Sequence, residues 1–297
     1  MAGENVSVSG LGKIVKDDRP VVRLQGEIMT NSQGINKIMQ YYQDASQFYN
    51  TDVFVDCYQM KWIDANLAAF LSALEHRLTV QNNIRLKADF KFLKEKFGVL
   101  FRNGWLQEKN ILVEDVQQTT IPCTSFRPEE EGAFFDYING KLLCHRGMPA
   151  VSEELRLRIQ NDLLEIYTNI FRHSNTKDPF FICGQYYPRF GYFVLTMVDL
   201  GVGFLSPIQA YTNGAVTTDS EAIRWALQGN STTGEQLAGM GLQGIMGYCN
   251  DHKGIFQIYT GSSFWGTDLE KTIWKGFRPL DHSFQGSLLN LFFPYSA

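Results

Sequence analysis

The stretch from Leu155 to Ser174, LRLRIQNDLLEIYTNIFRHS, constrains this chain more than any other. Read as a helix, it aligns Ile159, Leu163, Ile166 and Ile170 into one apolar stripe that must find a core. A second file, each member one turn from the last, carries Glu165, Asn169 and His173. Polar side chains in register beside a buried stripe form either a solvated face or a reactive one. The downstream sequence decides between these. A strand-like run from Tyr192 to Val198 ends in Asp199-Leu-Gly201-Val-Gly203. Gly239-Met240-Gly241-Leu242 then opens another helix-like stretch, and Gln285-Gly286-Ser287 leads into an apolar run closing at Pro294.

In this order the pieces resemble the GHKL ATPase superfamily, which includes DNA gyrase, MutL, the ninety-kilodalton heat-shock chaperone, histidine kinases and anti-sigma-factor kinases. ExxxN with a basic residue four further on is similar to the family's N box. DxGxG is similar to the first glycine box and GxGL to the second, and a Gly-Ser before a strand ending in Pro completes the set. Each motif alone is weak; four in register from Glu165 to Pro294 are specific. The resemblance implies an α/β fold of Bergerat type over residues 150–297, a mixed, largely antiparallel sheet covered by helices, closest to stand-alone anti-sigma-kinase-like domains.

The same resemblance implies roles residue by residue, with ATP and Mg²⁺ as the cofactors. Asn169 offers a carbonyl oxygen, a hard ligand suited to Mg²⁺. Glu165 stands where the family's general base stands. His173 matches a position that is commonly basic or aromatic, and a His near a helix C-terminus is also favoured by the dipole. Asp199, acceptor-only when ionised, matches the residue that takes a hydrogen bond from the adenine amino group. Gly201 and Gly203 let the backbone turn tightly beside the base. Residues 204–238 are expected to form a lid whose Ser231, Thr232 and Thr233 approach the phosphates. Gly239, Met240, Gly241 and Leu242 start a helix with bare amides, an anion site. Gly286 and Ser287 are expected at the same phosphates.

Upstream, Val21–Gln25, Val53–Asp56 and Ile84–Ala88 read as strands. They alternate with helices expected at Ile35–Phe48, Leu67–Leu78 and Lys91–Phe101, the pattern of a small α/β layer. The run FVDCYQMKWIDANLAAFLSAL resembles the STAS (anti-anti-sigma) domain. Ala65 and Asn66 stand where that family carries its phosphorylated serine, so the resemblance implies a degenerate module. The expected division is a STAS-like α/β domain at 1–118, a linker with a short helix at 119–149, and the ATP-binding domain at 150–297.

A net charge of −4 gives no reason to expect nucleic acid or an anionic membrane as partner. No run approaches the roughly 18 apolar residues of a membrane-crossing helix, and the N-terminus does not read as a secretory signal. The five cysteines are scattered without a CxxC, which points to a reducing cytoplasm. The expected function is Mg-ATP binding with slow hydrolysis in a regulatory switch. Its alternatives are a serine kinase acting in trans on a STAS protein and a non-hydrolysing ATP-dependent scaffold. A protein partner is expected through the STAS-like domain, and a homodimer is compatible with the family. Histidine autokinase chemistry is disfavoured, because the upstream His145 sits in LLCHRGMP, broken by Gly147 and Pro149.

Overall fold

A computed structural model describes residues 6–8, 14–16, 19–107, 113–173, 176–232, 240–269 and 274–295. It is an α/β protein built around a five-stranded antiparallel sheet. A short antiparallel pair, β1 (Val6–Val8) and β2 (Ile14–Lys16), precedes the first layer. That layer contains β3 (Val21–Arg23), β4 (Gly26–Ile28), α1 (Ser32–Ala45), β5 (Asp52–Asp56), β6 (Met60–Ile63), α2 (Ala68–Asn82) and β7 (Arg85–Lys87). Strands β3, β5 and β7 form a parallel sheet in that order, and β4 pairs in parallel with β6. Parallel neighbours need long crossovers, and α1 and α2 supply them. α1 starts where the Asn31 side chain accepts the Gly34 N–H at 2.8 Å, an N-cap. α3 (Phe90–Lys96) and α4 (Val99–Arg102) close the unit.

The expected linker contributes a strand. β8 (Thr120–Phe126) pairs antiparallel with β9 (Phe180–Tyr187) at the edge of the large sheet. Pro122 hides this strand from a pattern reading; it is tolerated because β8 is an edge and the register shifts between Ile121 and Thr124. α5 (Glu131–Tyr137) runs into one π-type turn at Ile138–Leu142. Then come α6 (Glu153–His173), β9, β10 (Tyr192–Asp199), α7 (Leu205–Tyr211), α8 (Asp219–Leu227), α9 (Met240–Asp251), β11 (Ile255–Asp268) and β12 (Trp274–Pro294). The sheet order is β11-β12-β10-β9-β8, and among the described residues every pairing in it is antiparallel rather than mixed as expected.

Both faces of this sheet are covered. On one face Leu195, Met197, Ile258, Leu289 and Leu291 pack with Ile159, Leu163 and Ile166 of α6 and Ile245 and Tyr248 of α9. On the other, Phe181, Val198, Tyr259 and Leu288 share a core with Phe70, Leu74 and Leu78 of α2. The period of two along β10 sends odd and even residues to opposite cores, which explains its continuous apolar run. α2 lies between two sheets and is buried nearly all round, so it has no amphipathic stripe.

A polar seam crosses the second face. The Asp64 carboxylate accepts the Thr30 N–H and hydroxyl at 2.7 and 2.9 Å. Asn66 Nδ2 donates to Thr30 Oγ1 at 3.0 Å and to Thr196 Oγ1 of β10 at 2.8 Å. Thr196 donates to Asn290 Oδ1 at 2.6 Å, and Asn290 to Gln257 Oε1 at 2.9 Å. Asn66 and Asn290 are fully buried, so these bonds satisfy groups that would otherwise be costly to enclose.

β11 and β12 also run beyond the sheet as a hairpin arm, bulged around Gly261 and paired out to Asp268 and Trp274. Asp268, fully buried, accepts the Ser32 N–H and hydroxyl at the start of α1 (3.1 and 2.6 Å) and pairs with Arg278 at 3.3 Å. A carboxylate there is favoured by the helix dipole. The arm also holds α8: Asp219 Oδ2 accepts the Ser262 N–H and hydroxyl at 2.8 and 3.0 Å.

Candidate functional site

The site begins with the way α6 is fixed. Tyr167 stacks on Phe134 at 4.4 Å and 16°, its hydroxyl donates to the Arg127 carbonyl, and Phe180 meets its ring edge-on at 5.7 Å. With the apolar stripe of α6 on the sheet, Asn169 faces a cleft between α6, the end of β10 and α7–α8. The cleft encloses about 900 Å³ free of protein atoms, its open mouth included. Its walls are apolar: Ile166 and Ile170 from α6, Met197 and Leu289 from the sheet, and Phe204, Ile208 and Trp225 from the α7–α8 segment. Asn169, Asp199, Asn230, Ser231, Thr232 and Ser287 supply polar groups. An apolar slot with a few convergent polar side chains is the usual form of a small-molecule site.

Asp199 ends β10 and is 3% exposed. Its Oδ1 accepts the Gly201 N–H at 2.8 Å, and Ser287, its register partner on β12, donates both hydroxyl and N–H. Burial pushes the carboxyl above its ordinary pKa, opposed by those hydrogen bonds and the charge of Arg77. Behind it Gly203 takes φ +72, and a Cβ there would sit 2.6 Å from Thr260 Oγ1. That hydroxyl, on β11, donates to the Gly286 carbonyl at 2.8 Å and accepts the Phe204 N–H at 3.4 Å, tying the turn after β10 to β11 and β12.

The residues singled out in the sequence separate into groups. Asn169, Asp199, Gly203, Ser231, Thr232, Leu242 and Ser287 line one cleft. Gly201 and Gly286 shape it from behind through the bonds just given. Glu165 is half-buried one turn from Asn169, whose Nδ2 donates to Glu165 Oε1 at 3.4 Å; it is not among the described lining side chains. Gly241 serves packing, since a Cβ there would sit 2.8 Å from the Asp162 carbonyl and 3.1 Å from Glu165 Cβ. Thr233 and Gly239 lie outside the described residues, as do the side chains of His173 and Met240. The sequence reading missed the apolar walls, although Met197 and Leu289 stand two residues from Asp199 and Ser287 on the same sheet face.

Asp162 has no sequence motif to mark it. Its carboxylate rests on α9 at Gly244, where a Cβ would clash at 2.2 Å, and its Oδ2 is enclosed without a hydrogen-bond partner among the described residues. Burial, then the charge of Glu165, push its pKa to about 6, while Arg158 pulls it down. A carboxyl raised in the folded state destabilises as pH climbs from its unfolded value toward about 6, and the penalty is complete above that. Asp162→Asn is therefore expected to be more stable than wild type by about 1–2 kcal/mol at pH 7.5, discounted for partial exposure. The gap should close near pH 4. Thermal unfolding of both proteins across pH 4–8 checks this, and parallel curves would refute it.

Among the described residues no helix is long and apolar enough to cross a membrane, and no group of three or more His, Cys, Asp or Glu could hold a metal. Neither the comparison with protein-family models nor that with curated proteins finds a match.

Proposed function

We propose that this cleft binds ATP with Mg²⁺, that residues 150–297 act as a GHKL-type nucleotide domain of Bergerat type, and that bound nucleotide is hydrolysed slowly as a regulatory switch. The observation that carries this reading is the buried Asp199 carboxylate, held by Ser287 and Gly201 between apolar walls, across the cleft from Asn169. The donor set fits the group. An enclosed acceptor between Met197, Leu289 and Ile166 suits a flat base bearing an exocyclic amine and disfavours one bearing a carbonyl there.

Asn169 turns its amide nitrogen to Glu165, which leaves its carbonyl oxygen as the cation ligand. Mg²⁺, when bound, would neutralise charge on the phosphates. Glu165, half-buried beside Asn169, would take the proton of an attacking water, while the Ser231 and Thr232 hydroxyls would hold the phosphate end. His145 does not act as a phosphate acceptor in this reading: its Nδ1 accepts the Gly147 N–H at 3.0 Å, and its ring packs on Phe193.

The partner contact expected through the STAS-like unit takes a narrower form. Ala65 and Asn66 are fully buried against the molecule's own sheet, so a partner would have to use another face of that unit. Incubation with γ-labelled ATP and Mg²⁺ tests the proposal, with Glu165→Ala and Asn169→Ala alongside. Expected are phosphate release by wild type, binding without release in Glu165→Ala, and loss of Mg-dependent binding in Asn169→Ala. Absence of ATP binding by wild type would overturn the nucleotide reading, and undiminished release by Glu165→Ala would remove that residue as base.

A further inference from the structure

Arg77 belongs to α2 of the first layer, yet its guanidinium reaches the rear of the cleft. Its NH2 group donates to the Leu200 carbonyl at 3.0 Å and to the Gln285 carbonyl at 2.8 Å. Leu200 follows Asp199, and Gln285 precedes Gly286 and Ser287. One buried side chain therefore fastens the two backbone segments that carry the cleft's central acceptor and its hydroxyl donor. Phe284 of β12 lies 5.7 Å beneath the guanidinium, and Nε is enclosed without a hydrogen-bond partner among the described residues. A buried cation held chiefly by two carbonyls is expensive for stability alone; an apolar side chain would fill that space more cheaply.

We propose that Arg77 is a positioning residue of the nucleotide cleft, clamping the turn after β10 to β12 so that Asp199 and Ser287 keep one spacing. The first layer thereby becomes part of the ligand site rather than a separate module. This rests on the reading of the cleft as an ATP site. Arg77 acts from behind the sheet, through Leu200 and Gln285, and its charge favours the ionised form of Asp199. The other groups facing Asp199 are the Ser287 hydroxyl from β12, the Gly201 amide and, across the cleft, Asn169 with Glu165 one turn away on α6. Beside Arg77 on α2, burial pushes the Glu75 carboxyl above its ordinary pKa, and His76 is paired with Asp178 at 3.0 Å.

The test compares wild type, Arg77→Met and Arg77→Lys in calorimetric titrations with Mg-ATP and Mg-GTP from pH 5 to 8. Arg77→Met should bind ATP roughly 10- to 100-fold more weakly, the range for losing hydrogen bonds to a charged group. Its discrimination against GTP should shrink. The pH at which ATP binding is half lost should also move upward, because Asp199 protonates more easily without the nearby cation. Arg77→Lys, which keeps the charge and its donors on a shorter head group, should recover part of the affinity and of the pH shift, and it carries the test if the Met variant does not fold. Wild type that binds ATP, with variants matching it in affinity and pH midpoint, would overturn the proposal. Weakened binding at an unchanged midpoint would also overturn it, leaving Arg77 a purely structural residue. Wild type without ATP affinity would overturn the nucleotide reading itself, and this inference with it.

Discussion

Asp199→Asn is expected to weaken ATP binding by roughly 10- to 150-fold, the equivalent of about 1.5–3 kcal/mol for one hydrogen bond to a charged group. The argument starts from burial. Asp199 is 3% exposed, and its oxygens are approached by donors, the Gly201 amide and the Ser287 hydroxyl and amide. An amide of the same shape keeps one acceptor but adds an NH₂, which must face either those donors or the amine of the base. Donor then meets donor in an enclosed site. GTP should gain relative to ATP, because a carbonyl on the base can accept from the new NH₂.

Stability should respond differently. Burial already pushes the Asp199 carboxyl upward, so its charge destabilises the fold above the unfolded pKa, and removing that charge should leave the melting temperature of the ligand-free protein unchanged or higher at pH 7.5. Calorimetric titration and thermal unfolding of the same sample separate the two effects. Unchanged ATP affinity would refute a recognition role, and a large drop in melting temperature would show that Asp199 chiefly holds the turn.

α6 and β10 were legible in the sequence for different physical reasons. α6 packs one stripe on the sheet and leaves Asn169 facing the cleft, so a 3.6-residue period showed through. β10 ends where its apolar run meets Asp199, and the glycines after it mark a forced turn. α2 gave no such stripe because both of its sides are enclosed, and nothing in LEHRL distinguishes Arg77 from a solvated basic residue. The arm formed by β11 and β12 was also invisible. The segment GSSFWGTD carries no motif that marks it, and it is the pairing of Ser263–Asp268 with Trp274–Pro279 and the burial of Asp268 against α1 that make it a strand. Long-range pairing supplied what local propensity did not. Gly286 fared likewise: its place before Ser287 was legible, but its steric role depends on a strand far away in sequence.

That steric role yields the largest expected effect on stability. Gly286 adopts φ +134, a backbone region that L side chains rarely enter, and a Cβ there would lie 2.2 Å from the Asp199 carbonyl oxygen and 2.9 Å from the Phe284 ring. The clash is with backbone on the central strand β10, so no rotamer change relieves it. Either β12 separates from β10 at the Asp199–Ser287 pair, or the turn after β10 moves away from the Arg77 clamp. Gly286→Ala should cost about 2–6 kcal/mol, adding roughly 1–3 for strained backbone to roughly 1–3 for overpacking. Gly132 provides the contrast, because it lies in α5 with nothing within 4 Å of its missing Cβ. Gly132→Ala should stabilise by about 0.5–1 kcal/mol through helix propensity alone. Urea unfolding of both variants reads the difference directly. If Gly286→Ala lost no more than about 1 kcal/mol, β12 would have to yield at the cleft, and the fixed spacing of Asp199 and Ser287 on which base recognition depends would be wrong.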